Sequence, residues 1–144
     1  MSSTMTSELR YFFDTYAIIE IVRENKNYER FKDADIISGL LNYGELYSWT
    51  LKGKGDYREL LTRVRRLILH LDIGDIIEGM KFKYQNRDKK LSFVDCVGYA
   101  MAKRRGLRFV TGDDGFRNLP GVEFVKQSSF DAQDIMAMIH EVFC

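Results

Sequence analysis

The chain has 144 residues, of which 45% are hydrophobic and 30% charged, and its formal net charge is +1. This describes one globular domain, and it excludes a disordered chain; the single proline excludes a proline-rich linker. No apolar run approaches the roughly 20 residues of a membrane helix, the polar residues 1–8 do not read as a secretory signal, and the expected compartment is the cytoplasm.

Residues 1–9 read as a flexible segment and residues 10–144 as a single domain. Tyr11, Phe12 and Phe13 form an aromatic run ending at Asp14, which predicts a buried strand. Residues 15–24 follow as a helix, with Ala17, Ile18, Ile21 and Val22 at helical spacing. Asp35, Ile36 and Ile37 predict a second short strand, and residues 39–51 a helix broken afterwards by Gly53 and Gly55. Residues 56–69 are the clearest amphipathic helix: Tyr57, Leu60, Leu61, Val64 and Ile68 share one face, opposite Arg58, Arg65 and Arg66. Residues 74–86 continue as a helix, with Ile76, Ile77, Met80 and Tyr84 in step. Residues 92–105 are a helix closed by Gly106, with basic residues in the last turn. Residues 107–111 predict a strand, 112–115 a turn, 122–125 a strand, and 131–143 a final helix with Ile135, Met138, Ile139 and Val142 inward. Strands alternating with helices predict an α/β fold with a parallel sheet covered on both faces. In such sheets ligands bind beyond the carboxyl ends of the strands.

Cys96 and Cys144 form no C-x-x-C, so neither a disulfide framework nor a cysteine-type zinc site is expected. Cys96 reads as a small core residue. His70 and His140 are isolated, which removes catalytic triads and histidine-rich metal sites. Charge is unevenly spread. From Lys52 to Arg108 the chain has 15 Lys+Arg against 7 Asp+Glu, and the remainder has 7 against 14. A basic middle suits a polyanion partner, although helical surfaces also carry many solvated cations.

Four acids stand where an acid is costly or functional. Asp14 follows the first strand directly, and Asp113 follows the strand of residues 107–111 with one residue between. Taken singly, Asp14 also suits a helix N-cap and Asp113 a turn. Glu45 interrupts an apolar stripe between Leu41 and Trp49. Asp95 lies in a helix that is apolar nearly all round, where an ionised carboxylate pays desolvation; its spacing from Ser92 also matches a capping box. Glu45 equally suits a rim position that reaches water. Jointly, four carboxylates on one edge repel each other, about 4 kcal/mol for a pair ~4 Å apart at an effective dielectric near 20. A divalent cation relieves that repulsion, and carboxylates without His or Cys select a hard ion, Mg²⁺ or Mn²⁺.

The same residues carry a family resemblance. Phe12-Phe13-Asp14-Thr15, Glu45 in the helix after the second strand, Leu91-Ser92-x-x-Asp95 followed by Ala100 and Ala102, and Thr111-x-Asp113-x-x-Phe116 resemble, in this order, the PIN-domain family and its VapC-type toxins. The resemblance spans about Tyr11 to Val125. It implies a three-layer α/β/α sandwich around a short parallel sheet. It also implies a Mg²⁺- or Mn²⁺-dependent endoribonuclease with Asp14, Glu45, Asp95 and Asp113 as the acidic quartet. Asp14 and Asp113 would ligate metal directly; Glu45 and Asp95 would ligate it or hold its water. Thr15, Ser92, Thr111 and Asp114 would support the acids, with Asp114 also suited to the turn, while Glu20 would face away. Tyr16 stands where many relatives have a small polar residue. The resemblance further implies an RNA substrate, a homodimer and, for a true toxin, an antitoxin partner. Arg58, Arg65, Arg66, Lys103 and Arg104 are the candidate RNA contacts, and Tyr47 and Trp49 candidate stacking residues.

Two other readings carry acids or phosphates on similar folds. A receiver-like phosphoacceptor would want an acid pair early in the chain, which Arg10-Tyr-Phe-Phe-Asp14 lacks. A dinucleotide-binding domain would want G-x-G-x-x-G after the first strand, also absent. An RNA-processing nuclease of the resembled family without a toxin role, and a non-catalytic RNA-binding or interaction module on the same fold, stay open.

Overall fold

The structure is a computed structural model, and it describes residues 10–126. The final helix expected at 131–143, with His140 and Cys144, lies outside the described residues. Among the described residues five strands and five α-helices follow in the order β1 (Tyr11–Phe13), α1 (Thr15–Val22), β2 (Ser38–Gly39), α2 (Leu40–Lys52), α3 (Arg58–Arg65), β3 (Ile68–Leu69), α4 (Ile73–Gln85), α5 (Phe93–Arg104), β4 (Arg108–Thr111) and β5 (Val122–Phe124). A 3₁₀ helix, Lys26–Phe31, follows α1.

All strand pairings are parallel. β4 lies between β1 and β5, and β2 pairs with β3. A bridge between Phe12 and Ile37 joins the two sets, reinforced by Phe13 N–H donating to Ile37 O (2.9 Å) and Ser38 Oγ donating to Phe13 O (2.7 Å). The resulting order is β3-β2-β1-β4-β5.

Successive strand residues point to opposite faces, and that alternation builds two cores. Phe13 and Val110 pack with Ile18, Ile19, Leu46 and Val64 beneath α1, α2 and α3. Phe12 and Phe109 pack with Cys96, Val97, Tyr99 and Met101 beneath α5 and α4. The molecule is therefore a three-layer α/β/α sandwich. Cys96 is a fully buried core residue, as its apolar setting predicts. Helices α4 and α5 approach closely at Gly79, where a Cβ would stand 2.9 Å from Val97 Cα.

The helix expected at 56–69 is shorter. It ends at Arg65, and Ile68 and Leu69 pair with Ser38 and Gly39 as an extra parallel strand. A two-residue strand leaves no period to read, and its pairing partner lies thirty residues back in the chain. The second strand sits at Ser38–Gly39, just beyond the Asp35-Ile36-Ile37 expected to form it. No described helix is long and apolar enough to cross a membrane.

Candidate active site

The parallel register between Phe13 and Val110 brings the ends of β1 and β4 to one edge. Asp14 and Asp113 both follow strand ends there, and the Asp14 amide donates to Val110 O (3.1 Å). Glu45 reaches the same edge from α2, and Asp95 from the first turn of α5. Relative exposures are 0% for Asp14, 4% for Glu45 and 6% for Asp95, against which only Asp113 of the four is half-buried.

Asp14 does two things. Its Oδ1 caps α1 by accepting from Ala17 N–H (2.7 Å), as an N-cap aspartate should. Its Oδ2 is completely buried and, among the described residues, has no hydrogen bond of ordinary geometry. Capping therefore accounts for half of this carboxylate. A buried, unpaired carboxylate oxygen is expensive, and such an atom calls for an explanation.

Asp95 is held by its backbone: Ser92 caps α5 by accepting from Asp95 N–H (3.1 Å). The returning bond of a capping box is not formed, so the Asp95 carboxylate is left to the cluster. A complete box does form at Asp72 and Asp75 in α4. Glu45 is gripped differently. Thr15 Oγ1 donates to Glu45 Oε1 at 2.5 Å, and Asn42 Nδ2 donates to Thr15 Oγ1 at 3.2 Å. Asp113 Oδ1 accepts from Gly115 N–H (2.9 Å), and its amide donates to Thr111 Oγ1 (3.1 Å).

The acids are electrostatically one unit. Burial raises Asp14 well above the usual carboxylate range, and Asp95 and then Asp113 push it further, against the Thr111 hydroxyl and the Ala17 amide. Burial, then Asp113, raises Asp95 to about 7. Burial raises Glu45 to about 8, with Thr15 opposing and Asp95 adding. Tyr16 lies within the field of all four acids, which together with burial hold the proton on its hydroxyl.

This donor set fits a hard divalent cation: oxygen ligands only, surplus negative charge, and one buried oxygen that has no hydrogen bond of ordinary geometry among the described residues. Among the described residues no three His, Cys, Asp or Glu side chains close on a single point as a ready-made cage. Mg²⁺ does not require one, since it keeps several waters and takes one or two carboxylates directly.

Other expected residues fall elsewhere. Asp114 is exposed and pairs with Arg117 (2.8 Å), so it belongs to the surface turn and not to the cluster. Glu20 is buried and accepts from Asn25 Nδ2, away from the four acids. Trp49 packs against the core and Tyr57, with ring centroids 5.0 Å apart, while Tyr47 is exposed.

Four of the five expected RNA contacts lie at the edge of the sheet opposite the acids. At 1.5 Å per residue, Arg104 stands about 13 Å along α5 from Asp95, beside the start of β4. Its guanidinium is committed to Asp72 and buried Asp75, each at 2.7 Å, and Arg105 joins them at 2.8 Å. Lys103 lies in the same last turn, above the Tyr99 ring (6.0 Å). Arg65 and Arg66 precede β3, and Arg66 lines a shallow groove with Lys32 and Asp35 ahead of β2. Arg58 pairs with neighbouring Asp56 (2.8 Å). Helix direction decides this: α3 and α5 run back towards the amino ends of the strands, so basic last turns end far from the acids.

Asn42 is the site residue that the sequence reading omitted. It lies one helical turn before Glu45, and a buried polar residue at i−3 of a buried acid was the available signal.

The sequence profile of the PIN domain matches residues 11–122. No curated protein sequence matches the chain. Among solved structures, a chain of a "Toxin-antitoxin complex from Klebsiella pneumoniae" is similar, with a TM-score of 0.61 and 17% identity, over 78% of this chain and 95% of that one. PAE2754 from Pyrobaculum aerophilum is similar with a TM-score of 0.54 and 16% identity, over 90% of this chain and 98% of that one.

Proposed function

The chain belongs to the PIN domain family, whose members are generally nucleases, and from that premise we propose that it is a metal-dependent endoribonuclease acting in the cytoplasm as the toxin of a toxin-antitoxin pair. The observation that carries the nuclease reading is Asp14 Oδ2, a buried carboxylate oxygen with no hydrogen bond of ordinary geometry among the described residues, beside Asp95 and Asp113. Mg²⁺ or Mn²⁺ held there would supply an activated water and neutralise charge on the scissile phosphodiester.

The chain's own residues divide the work. Asp14 and Asp113 would hold the cation. Glu45, fixed by Thr15 and Asn42, and Asp95, fixed by the Ser92 cap, orient water at its edge and accept the proton that hydrolysis releases. Thr111 braces the Asp113 backbone. The buried walls around the acids keep their charge unscreened, which strengthens their hold on a cation.

The toxin role and an antitoxin partner are supported by likeness to a chain of a toxin-antitoxin complex. A homodimer is supported by α4: Ile73 and Ile77, four residues apart on one helical face, are 75% and 48% exposed beside a groove of about 570 Å³ shared with α5.

The test is cleavage of a labelled single-stranded RNA with Mg²⁺, with Mn²⁺ and with EDTA, for the natural chain beside Asp14→Asn. Metal-dependent cleavage absent from the variant is expected. Metal-independent cleavage, or cleavage retained by Asp14→Asn, overturns the reading.

A further inference from the structure

The nuclease reading leaves unanswered how a polyanion comes to rest against four carboxylates, because the cations of α3 and of the end of α5 lie at the far edge. Resting on that reading, we propose that residues 87–93, the turn joining α4 to α5, take the RNA as a single strand, with Lys89 and Lys90 on its phosphates and Phe93 against an unpaired base.

The turn is pinned between two of the acids. Lys89 Nζ lies 3.4 Å from Gly115 O. Leu91 packs on Gly115 so tightly that a Cβ there would stand 2.4 Å from Leu91 Cδ2. Gly115 in turn donates its amide to Asp113. At the other end of the turn, Ser92 caps the amide of Asp95.

Its charge is of the right sign. Lys83, Arg87, Lys89 and Lys90 stand against Asp88 alone within residues 83–90. Lys83 is committed to Leu91 O (2.6 Å), and Arg87 lies over the Tyr84 ring (4.4 Å). Lys90 is exposed and, among the described residues, has no carboxylate partner. Its backbone is left-handed, with φ of 55°. That conformation closes the short 3₁₀ turn Arg87–Lys89, whose end Lys90 caps by donating its amide to Arg87 O.

Phe93 decides for a single strand. It opens α5 with 40% of its surface in water. An exposed aromatic face beside cations is what an unstacked base covers, and a duplex hides its base faces.

Fluorescence anisotropy of a labelled single-stranded RNA in EDTA, where binding is read without cleavage, tests the proposal. Lys89→Ala/Lys90→Ala should bind about tenfold more weakly and lower the salt slope by about 1.4, since each of the two phosphate contacts on a single strand contributes about 0.7. Phe93→Ala should lose about tenfold, and a duplex of the same sequence should bind more weakly than the strand. Arg65→Ala/Arg66→Ala should bind as the natural chain does, and melting temperatures report whether each variant is folded. Natural affinity in folded rim variants overturns the proposal. So does a loss confined to the α3 variant, or a Phe93→Ala effect on oligomeric mass without one on affinity. Because the readout is binding, failed cleavage of any RNA tells against the nuclease reading and leaves this result standing.

Discussion

Thr15 donates to Glu45 at 2.5 Å across thirty residues of sequence, and Asn42 fixes the direction of that donation by giving its own N–H to the Thr15 oxygen. The pair ties the start of α1 to the second turn of α2, and it places one carboxylate oxygen of Glu45 under control while the other is left to the site. Thr15→Val should therefore lower cleavage about 10–100-fold, the usual cost of losing a residue that orients a ligand. Thr15→Ser should keep most of it, and Asn42→Ala should fall between them. Steady-state cleavage rates at saturating Mg²⁺ check the order; equal rates for Thr15→Val and Thr15→Ser would sink this role.

Asp14→Asn should abolish cleavage and leave the fold intact. Asparagine caps a helix about as well as aspartate, so the bond to Ala17 N–H is kept. Removing a buried charge raised by desolvation and by Asp95 should leave the melting temperature in EDTA at pH 8 unchanged or higher. Calorimetry decides it, and a fall of several degrees would contradict the repulsion argued for the site.

Metal-free stability should decline with pH. Asp95 titrates at about 7 and Glu45 at about 8 in the fold, against roughly 4 when unfolded. The folded chain thus binds more protons than the unfolded chain between those limits, and stability falls as pH rises from about 4 to about 8. Metal binding needs the ionised forms, so Mn²⁺ should stabilise more strongly at pH 8 than at pH 6. Melting curves in EDTA and in Mn²⁺ across this range test both signs; a flat EDTA series would refute the first.

Asp75 is a structural acid. Its side chain is fully buried and takes Arg104 and Arg105 at 2.7 and 2.8 Å, tying the start of α4 to the end of α5. Asp75→Ala should cost about 3 kcal/mol, the low end for breaking a buried pair, because both arginines still reach water. The hydrogen bonds of Arg105 and Arg104 and the Asp72 amide outweigh burial and hold its pKa at about 2. That contribution is complete above the unfolded value near 4 and is lost as pH falls through about 2. Denaturant unfolding measures the cost, and metal affinity at the acids should not change.

Ile77→Glu should convert a dimer into a monomer in sedimentation velocity with its helical content preserved. Ile77 is exposed on the α4 face, and a charge there opposes burial against a second copy. A natural chain that sediments as a monomer would remove the dimer from the reading.

Much of this molecule was legible along the chain because the relevant signals are local. The run Tyr11–Phe13 ending in an acid, the apolar period of α2, α4 and α5, and the Ser92 cap are each read within a single element, and each of these elements formed within a residue or two of its expected place. Glu45 and Asp95 stood out because a carboxylate inside an apolar stripe is costly wherever it folds, and Asp14 and Asp113 because each follows a predicted strand. Three things required the tertiary structure. The strand at Ile68–Leu69 exists only because β2 offers it a partner. The grip of Asn42 and Thr15 on Glu45 exists only because α1 and α2 pack side by side. The side on which a cation falls depends on helix direction: Arg65, Arg66, Lys103 and Arg104 are carried to the amino edge of the sheet, while Lys89 and Lys90 precede the end of α5 that bears Asp95. Residue types set which charges the chain owns, and the parallel register decided which of them meet.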